Sequence, residues 1–466
     1  MAHIAFFTPL TPVKSALADH AEGILPHLAE NLDITVVTNG TYVPSDPRFS
    51  GRDIKQIRCI DYVEFQKRVA EFDLVVYQLG DEHEIHGYML DALPRYPGLV
   101  LLNDLVMHHA IVGRTLGKAR SDLYLKEMAY SYGQMGIRLG RKVISGEANE
   151  LTWRLPLVER ILDQSLAVAG FNMYMCNQIS VLRPDLPCRL IPYPFYLPRD
   201  FPKDYDGAEL RESLGLQERP VVASFGFFIP DKRLNLTLRA FRRLLEKHPT
   251  AFYLLVGGSS PYYDLEGELR AEGLEGHVRL TGWQDPVSFV KHMYVPDVAV
   301  HLRWPHIGGT PYTPIRLLGL GVPTIVSDIE PLAEIPSNAA MRVPPNAIDE
   351  EKRLAICMDD VLSSPEQAAS MSAEGKSYIM QSHDMAKIVT DYSSYIEWVI
   401  AHRRELDAAT QSRRERADAL ESSAHYQMLL GVFGEALAGL GISRQDDRWM
   451  RPIARAVAGL LPEEES

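Results

Sequence analysis

Short apolar runs alternate with longer helix-period stretches from the N-terminus almost to residue 385, and this alternation constrains the fold most. His3-Ile4-Ala5-Phe6-Phe7, Ile34-Thr35-Val36-Val37, Leu74-Val75-Val76-Tyr77 and Leu99-Val100-Leu101-Leu102 are β-branched or aromatic and end at Gly, Pro, Asp or Asn. Between them lie amphipathic stretches such as Ala18–Leu32 and Glu64–Phe72. Strands that are apolar throughout, separated by helices, predict a parallel sheet covered on both faces. A segment over 192–207 then interrupts the pattern with Pro192, Pro194, Pro198 and Pro202, as a connector would. The strands restart at Pro220–Phe225, Phe252–Val256, Val278–Leu280, Val298–His301 and Thr324–Val326. Two similar α/β halves leave a cleft between the carboxyl ends of two sheets, where ligands of open α/β sheets bind.

The expected organisation is an N-terminal Rossmann-like domain over 1–195, a linker over 196–218 and a second Rossmann-like domain over 219–385. A helix over 386–403 then crosses back to the first domain, and a helical extension follows over 404–466. A chain of 466 residues fits this plan, because single cores rarely keep growing past about 250–300 residues. Residues 401–466 hold nine arginines and no lysine, with an apolar segment Tyr426–Phe433. This tail predicts an accessory helical hairpin, packed on the body or self-associating, and a homo-oligomer through it stays open.

Charge and motifs narrow the function classes. The 48 Lys+Arg against 61 Asp+Glu give a net charge of −13, which argues against nucleic acid as partner. A small anionic ligand needs only a few local cations and backbone N–H groups. The opening MAHIAFFTPLTPVKSALADH reads as a strand entering a loop rather than a signal peptide, and no apolar run reaches a bilayer-spanning length. Cys59, Cys176, Cys188 and Cys357 form no CxxC and suit free thiols in a reducing compartment. The expectation is a cytoplasmic protein with no transmembrane segment, leaving peripheral membrane contact open. No HExxH, paired Cys/His spacing or G-x-S-x-G stands in the chain, so neither a metal site nor a nucleophilic triad is expected.

The second half carries the most chemistry. In Ser224–Arg233 a strand ends in Gly226, and a helix from about Leu234 opens behind Lys232 and Arg233. A glycine-permitted backbone approach, a helix N-terminus and a lysine suit a diphosphate, although a solvated Lys-Arg pair has the same sequence. The following strands end in Gly257-Gly258 and Gly282-Trp283. His301-Leu302-Arg303-Trp304-Pro305, Gly308-Gly309-Thr310-Pro311 and Gly321–Asp328 come next, with a helix through Ile315–Leu318 between the last two. This order resembles the nucleotide-binding half of the glycosyltransferase family 4-type enzymes, retaining transferases of the GT-B fold. The resemblance implies that Lys232 contacts the donor diphosphate and that the loops at Gly226, Gly257, Gly258 and Gly282, with Arg233, Trp283 and Thr310, approach the nucleotide. It places Glu334 at an acidic position of the family and implies a metal-independent enzyme with no cofactor. Phe227 stands where the family commonly has Arg, and Gly308 and Arg316 stand where it has two glutamates. A bacterial subgroup has Glu at the place of Gly309. Arg316 cannot accept from a ribose hydroxyl but can pair with phosphate.

The first half resembles that subgroup too. Phe6–Asp19 matches its first βα loop, with Lys14 and Ser15 before an Ala16 where glycine is usual. Lys14 either supplies a cation to the phosphate or is a surface lysine. Val100–His109 matches a strand end that usually reads His-Asp, here Asn103-Asp104, followed by His108 and His109. Adjacent helical residues point about 100° apart, so one histidine faces the cleft; His109 is the expected acceptor contact. The resemblance implies transfer of a sugar from a nucleoside diphosphate donor to a glycan, glycolipid or other hydroxyl acceptor, with Lys232, Arg316, Asn103 and His109 in the catalytic set. The competing reading is a catalytically degenerate GT-B subunit that serves another transferase, and a more distant one is a sugar-nucleotide epimerase.

Overall fold

The computed structural model describes residues 1–50 and 57–422. The first sheet consists of β1 (His3–Phe7), β2 (Asp33–Thr38), β3 (Arg58–Asp61), β4 (Leu74–Leu79), β5 (Leu99–Leu102), β6 (Ala167–Gly170) and β7 (Cys188–Leu190). Its order is β3-β2-β1-β4-β5-β6-β7 and every described pairing is parallel. The second sheet consists of β8 (Val221–Phe225), β9 (Phe252–Val256), β10 (Val278–Leu280), β11 (Val298–His301), β12 (Thr324–Ser327) and β13 (Ala340–Val343). It runs β10-β9-β8-β11-β12-β13, again all parallel.

Each sheet reverses its strand order once, between β1 and β4 in the first and between β8 and β11 in the second. Helices leave in opposite directions on either side of such a point and open a crevice at the strands' carboxyl ends. The loops after β1, β4, β8 and β11 therefore border the two crevices. The continuous apolar strands behave as their composition dictates: β4, β5, β8 and β9 are buried along their whole length.

One apolar cluster crosses the domain junction. Ile4, Phe6, Ile24 and Leu28 of the first domain belong to the same buried core as Ile315, Leu318, Leu332 and Ile379 of the second. The helix Met385–Ala401 joins it with Ile388, Tyr392, Ile396 and Val399, so this helix packs on the first domain. Its Tyr395 hydroxyl donates to Val168 O at 3.2 Å and to Pro187 O at 3.0 Å. The next helix, Arg403–Ser422, continues over the first domain, where Thr410 Oγ1 and Arg413 Nη2 both donate to Ser165 O. The described part of the extension is thus a packed helix. Residues 423–466, including Tyr426–Phe433, lie outside the described residues.

Candidate active site

The second-domain crevice is built on close backbone crossings. Gly226 has φ 114° and Gly257 φ 135°, and a Cβ on Gly257 would lie 1.9 Å from Gly226 O. Only glycine fits such a crossing. The loops are knit together: Gly226 N–H donates to Val256 O at 3.0 Å and Phe228 N–H to Gly258 O at 2.8 Å. Gly282, at φ 73°, bridges to Gly257. Phe227 and Trp283 stand out from this rim, 55% and 56% exposed.

Beneath the rim a turn, Pro230–Lys232, precedes the helix Leu234–Leu244. Lys232 Nζ lies 3.8 Å from where Gly226 would carry a Cβ, so the amine sits against the first glycine loop. Arg303, at the end of β11, donates from Nε to Asp231 Oδ2 at 3.1 Å, and Trp304 N–H donates to Asp231 O at 2.8 Å. Burial, with the Arg303 charge next in weight, pushes the Lys232 amine down to about 7. His301 is held well below its ordinary value by burial, then by Lys232 and Arg303. The Lys232 amine and the Arg303 guanidinium, the latter paired to Asp231, border a strand-end crevice lined with backbone, an arrangement that favours an anion. Arg303 is a functional candidate outside the set expected from sequence, although it stands in the His301–Pro305 segment. Its signal is a cation two residues beyond a buried strand at the switch point. Arg233, by contrast, has φ 52° and gives its Nη2 to buried Glu350 at 2.6 Å. It braces the helix Glu350–Ser363 and is not turned to the loop.

The first-domain wall faces this crevice. Ser15 caps the helix Ala16–Leu28 by accepting from Leu17 N–H, and Ala16 begins the helix at ordinary negative φ. Lys14 Nζ lies 4.7 Å from the centroid of the Trp283 ring across the cleft. Asn103 is held at both ends of its amide: Oδ1 accepts from the Tyr193 hydroxyl, and Nδ2 donates to Asp104 Oδ2 at 2.8 Å. Asp81 N–H donates to that same Asp104 oxygen at 3.2 Å. Burial pushes the Asp104 carboxyl up to about 6. His108 is buried between Leu155 O at 2.9 Å and the Tyr124 hydroxyl at 2.8 Å, and burial pushes it down to about 4, so it is a neutral packing residue. His109 is the outward member of the pair, with Nδ1 at 2.6 Å from Asp81 Oδ2.

Other sequence candidates belong to the junction between the domains. Leu105 and Val106 N–H both donate to Ile307 O at 2.9 Å. Asn172 Nδ2 donates to Gly308 O at 3.0 Å and to Thr310 Oγ1 at 2.8 Å. A Cβ on Gly308 would lie 2.6 Å from Leu105 Cβ. One on Gly309 would lie 2.5 Å from both Asn103 O and Asp104 Oδ1. The missing side chains at 308 and 309 thus have a steric cause. Glu334 accepts from Met173 N–H at the start of the helix Met173–Leu182. Arg316 is buried, its guanidinium 4.5 Å from the Tyr312 ring centroid and 5.3 Å from that of Tyr196. The phosphate role expected of Arg316 is not what these contacts describe: aromatic rings enclose it, with Asp19 as the carboxylate acting on it. A cavity of about 330 Å³ beside Asn172, Thr310 and Glu334 shares no lining residue with the glycine loops. Among the described residues no group of three or more His, Cys, Asp or Glu is placed to hold a metal ion. Nor is any described helix long and apolar enough to cross a membrane.

Residues 206–378 match the family described as glycosyl transferases group 1. An alpha-D-kanosaminyltransferase from Streptomyces kanamyceticus is 31% identical over 107 residues, which is 22% of this chain and 26% of that relative's length. Sucrose-phosphate synthase from Thermosynechococcus elongatus superposes with a TM-score of 0.60 at 16% identity, over 86% of this chain and all of the other. HepE from Anabaena, solved with UDP, gives a TM-score of 0.60 at 14% identity, over 85% and 100%. The described chain therefore has the GT-B fold with a C-terminal helical extension. The match to the group 1 glycosyltransferase family falls on its second domain.

Proposed function

We propose that the protein transfers a sugar from a nucleoside diphosphate sugar to the hydroxyl of a glycan, glycolipid or related acceptor, with retention of anomeric configuration. The observation that carries this reading is the placement of Lys232 Nζ against the Gly226–Gly257 crossing, within the electrostatic influence of Arg303, which is bonded to Asp231. When the bond to the sugar breaks, negative charge grows on the leaving diphosphate. Fixed cations and backbone N–H groups aimed at that charge stabilise it without reorganising, commonly a large catalytic contribution. Such a site does the electrostatic work that a divalent cation does elsewhere, so we infer a metal-independent reaction. The family match and the UDP-bound neighbour support a nucleotide sugar as donor. The acceptor would approach from the first-domain wall near Asp104 and His109, in the reducing interior of the cell.

The test is release of nucleoside diphosphate from the glucose conjugates of UDP, GDP, ADP and TDP, with and without added glycan. Turnover with one base, lost in Lys232→Met and Arg303→Met while both variants stay folded, is the expected result. Folded protein that turns over none of them would favour the second reading, a partner subunit without catalysis. The side-chain-free Gly308–Gly309 loop, which offers no carboxylate to a sugar, is the observation in that reading's favour.

A further inference from the structure

We propose that His301 is a third hydrogen-bond donor to the leaving diphosphate, beside Lys232 and Arg303, an inference that rests on the glycosyl-transfer reading above and adds a residue to that same site. His301 is the last residue of β11. At the switch point β11 pairs with β8, Val298 opposite Val222 and Ala299 opposite Ala223. Ser224 Oγ donates to Val300 O at 2.7 Å and carries the pairing onward. Continued by two residues, that register sets His301 beside Phe225 at a strand spacing of about 4.8 Å. Gly226, the glycine that Lys232 Nζ lies against, comes directly after Phe225, and Arg303 comes two residues after His301. Successive strand residues alternate between faces. Val298, Val300 and Leu302 enter one apolar cluster and Ala299 enters another, so His301 falls on the Ala299 face at the carboxyl edge of the sheet.

The ring is closed off from water, 3% exposed, and its Nε2 has no hydrogen-bond partner among the described residues. Asp231, which holds Arg303 through Oδ2, leaves its buried Oδ1 unpaired as well. Buried polar atoms are nearly always paired, because an unpaired one forfeits its hydration without return. Two such atoms next to Lys232 and Arg303 describe a site that is incomplete without a polar ligand. After burial, the charges acting on the His301 ring are those of Lys232 and Arg303, and both keep it neutral. A neutral imidazole carries one N–H, on either ring nitrogen. An anion seated on the two cations selects the tautomer with that proton on Nε2. The ring then gives a hydrogen bond to the phosphate oxygens that take up the electron pair of the breaking sugar bond, and it keeps its proton throughout. A donor fixed in advance stabilises such growing charge without reorganising.

The test compares the full-length wild type with His301→Leu and His301→Gln, by thermal unfolding without ligand and by calorimetry with the nucleoside diphosphate that the wild type binds. Leucine occupies the ring's place with no polar atom to leave unpaired, so ligand-free His301→Leu should melt at or above the wild-type temperature. Its dissociation constant should nevertheless rise roughly ten- to hundredfold, the usual worth of a hydrogen bond to a charged group. His301→Gln, which restores an N–H, should recover part of that loss. Unchanged affinity in folded His301→Leu, or a lower melting temperature that shows the ring serving the core, would overturn the assignment and leave the glycosyl-transfer reading standing. Wild-type protein that binds no nucleoside diphosphate would overturn both. If His301→Leu does not fold, magnetic resonance of the wild type with isotope-labelled histidine decides alone. Binding should then bring out a new imidazole N–H signal in slow exchange with water, and the absence of that signal would overturn the proposal.

Discussion

Lys14 of the first domain reaches across the cleft and places its ammonium 4.7 Å from the centre of the Trp283 ring, on the rim of the second domain's glycine loops. An exposed cation–π contact is worth about 0.5–1 kcal/mol. Lys14→Gln should therefore shift the closed arrangement by roughly two- to fivefold and leave the folding of each domain untouched. Small-angle scattering should show a larger radius of gyration, with a thermal midpoint near that of the wild type. An unchanged radius would mean that the junction bonds alone hold the cleft shut.

Lys232 supplies a pH signature. Its amine lies near 7 in the free protein, because burial and the Arg303 charge disfavour the ammonium. A bound diphosphate favours the ammonium, so binding takes up a proton once the pH exceeds about 7, and affinity falls as pH rises. Calorimetry with a nucleoside diphosphate in buffers of different ionisation enthalpy should detect that uptake at about pH 8. Lys232→Met should bind more weakly and with no uptake from this group.

Gly309 is a test of the junction. Its missing side chain leaves room for Asn103 O and Asp104 Oδ1, each 2.5 Å from the Cβ position. Gly309→Ala should push the loop off the first domain and break the pair of bonds from Leu105 and Val106 to Ile307 O. We expect an opened cleft by scattering and a stability loss of about 1–3 kcal/mol, the usual range for overpacking. Gly309→Glu should be worse, since it also sets two carboxylates together.

Asp104 reports the opposite sign from an ordinary paired carboxylate. Its carboxyl is raised from 3.8 to about 6 by burial, with Asp81 adding to the effect. The folded state then holds a proton that the unfolded state has lost, and stability from this group falls as pH rises between about 4 and 6. Asp104→Asn should raise the thermal midpoint at about pH 7.5 and give a smaller gain at about pH 4. Equal gains at both values would contradict the assignment.

Much of the frame was legible because strand composition and strand position agree. His3–Phe7, Leu99–Leu102, Phe252–Val256 and Val298–His301 are read from sequence at their structural limits. The strands that escaped notice are β3, β6, β7 and β13. Three of them lie at sheet edges and carry charge, as edge strands do, while Ala167-Val168-Ala169-Gly170 lacks the bulky residues that mark a buried strand. The helix Ala16–Leu28 begins two residues before the expected Ala18 because Ser15 caps it. For single site residues the sequence was a poorer guide, since side-chain partners come from distant chain segments. Arg233 and Arg316 look like free cations in sequence, but Glu350 engages one and the Tyr196–Tyr312 pair encloses the other. Arg303 and Asp81 gain meaning only through Asp231 and His109.

The central claim is that Lys232 and Arg303 form the diphosphate site, and thermal unfolding against UDP, GDP, ADP and TDP tests it most directly. A nucleotide at 100 times its dissociation constant should stabilise the native state by about 2.7 kcal/mol. The account predicts that gain with one nucleotide, and its loss in Lys232→Met/Arg303→Met protein that unfolds cooperatively without ligand. No gain with any of the four, or the same gain in the double variant, would contradict it.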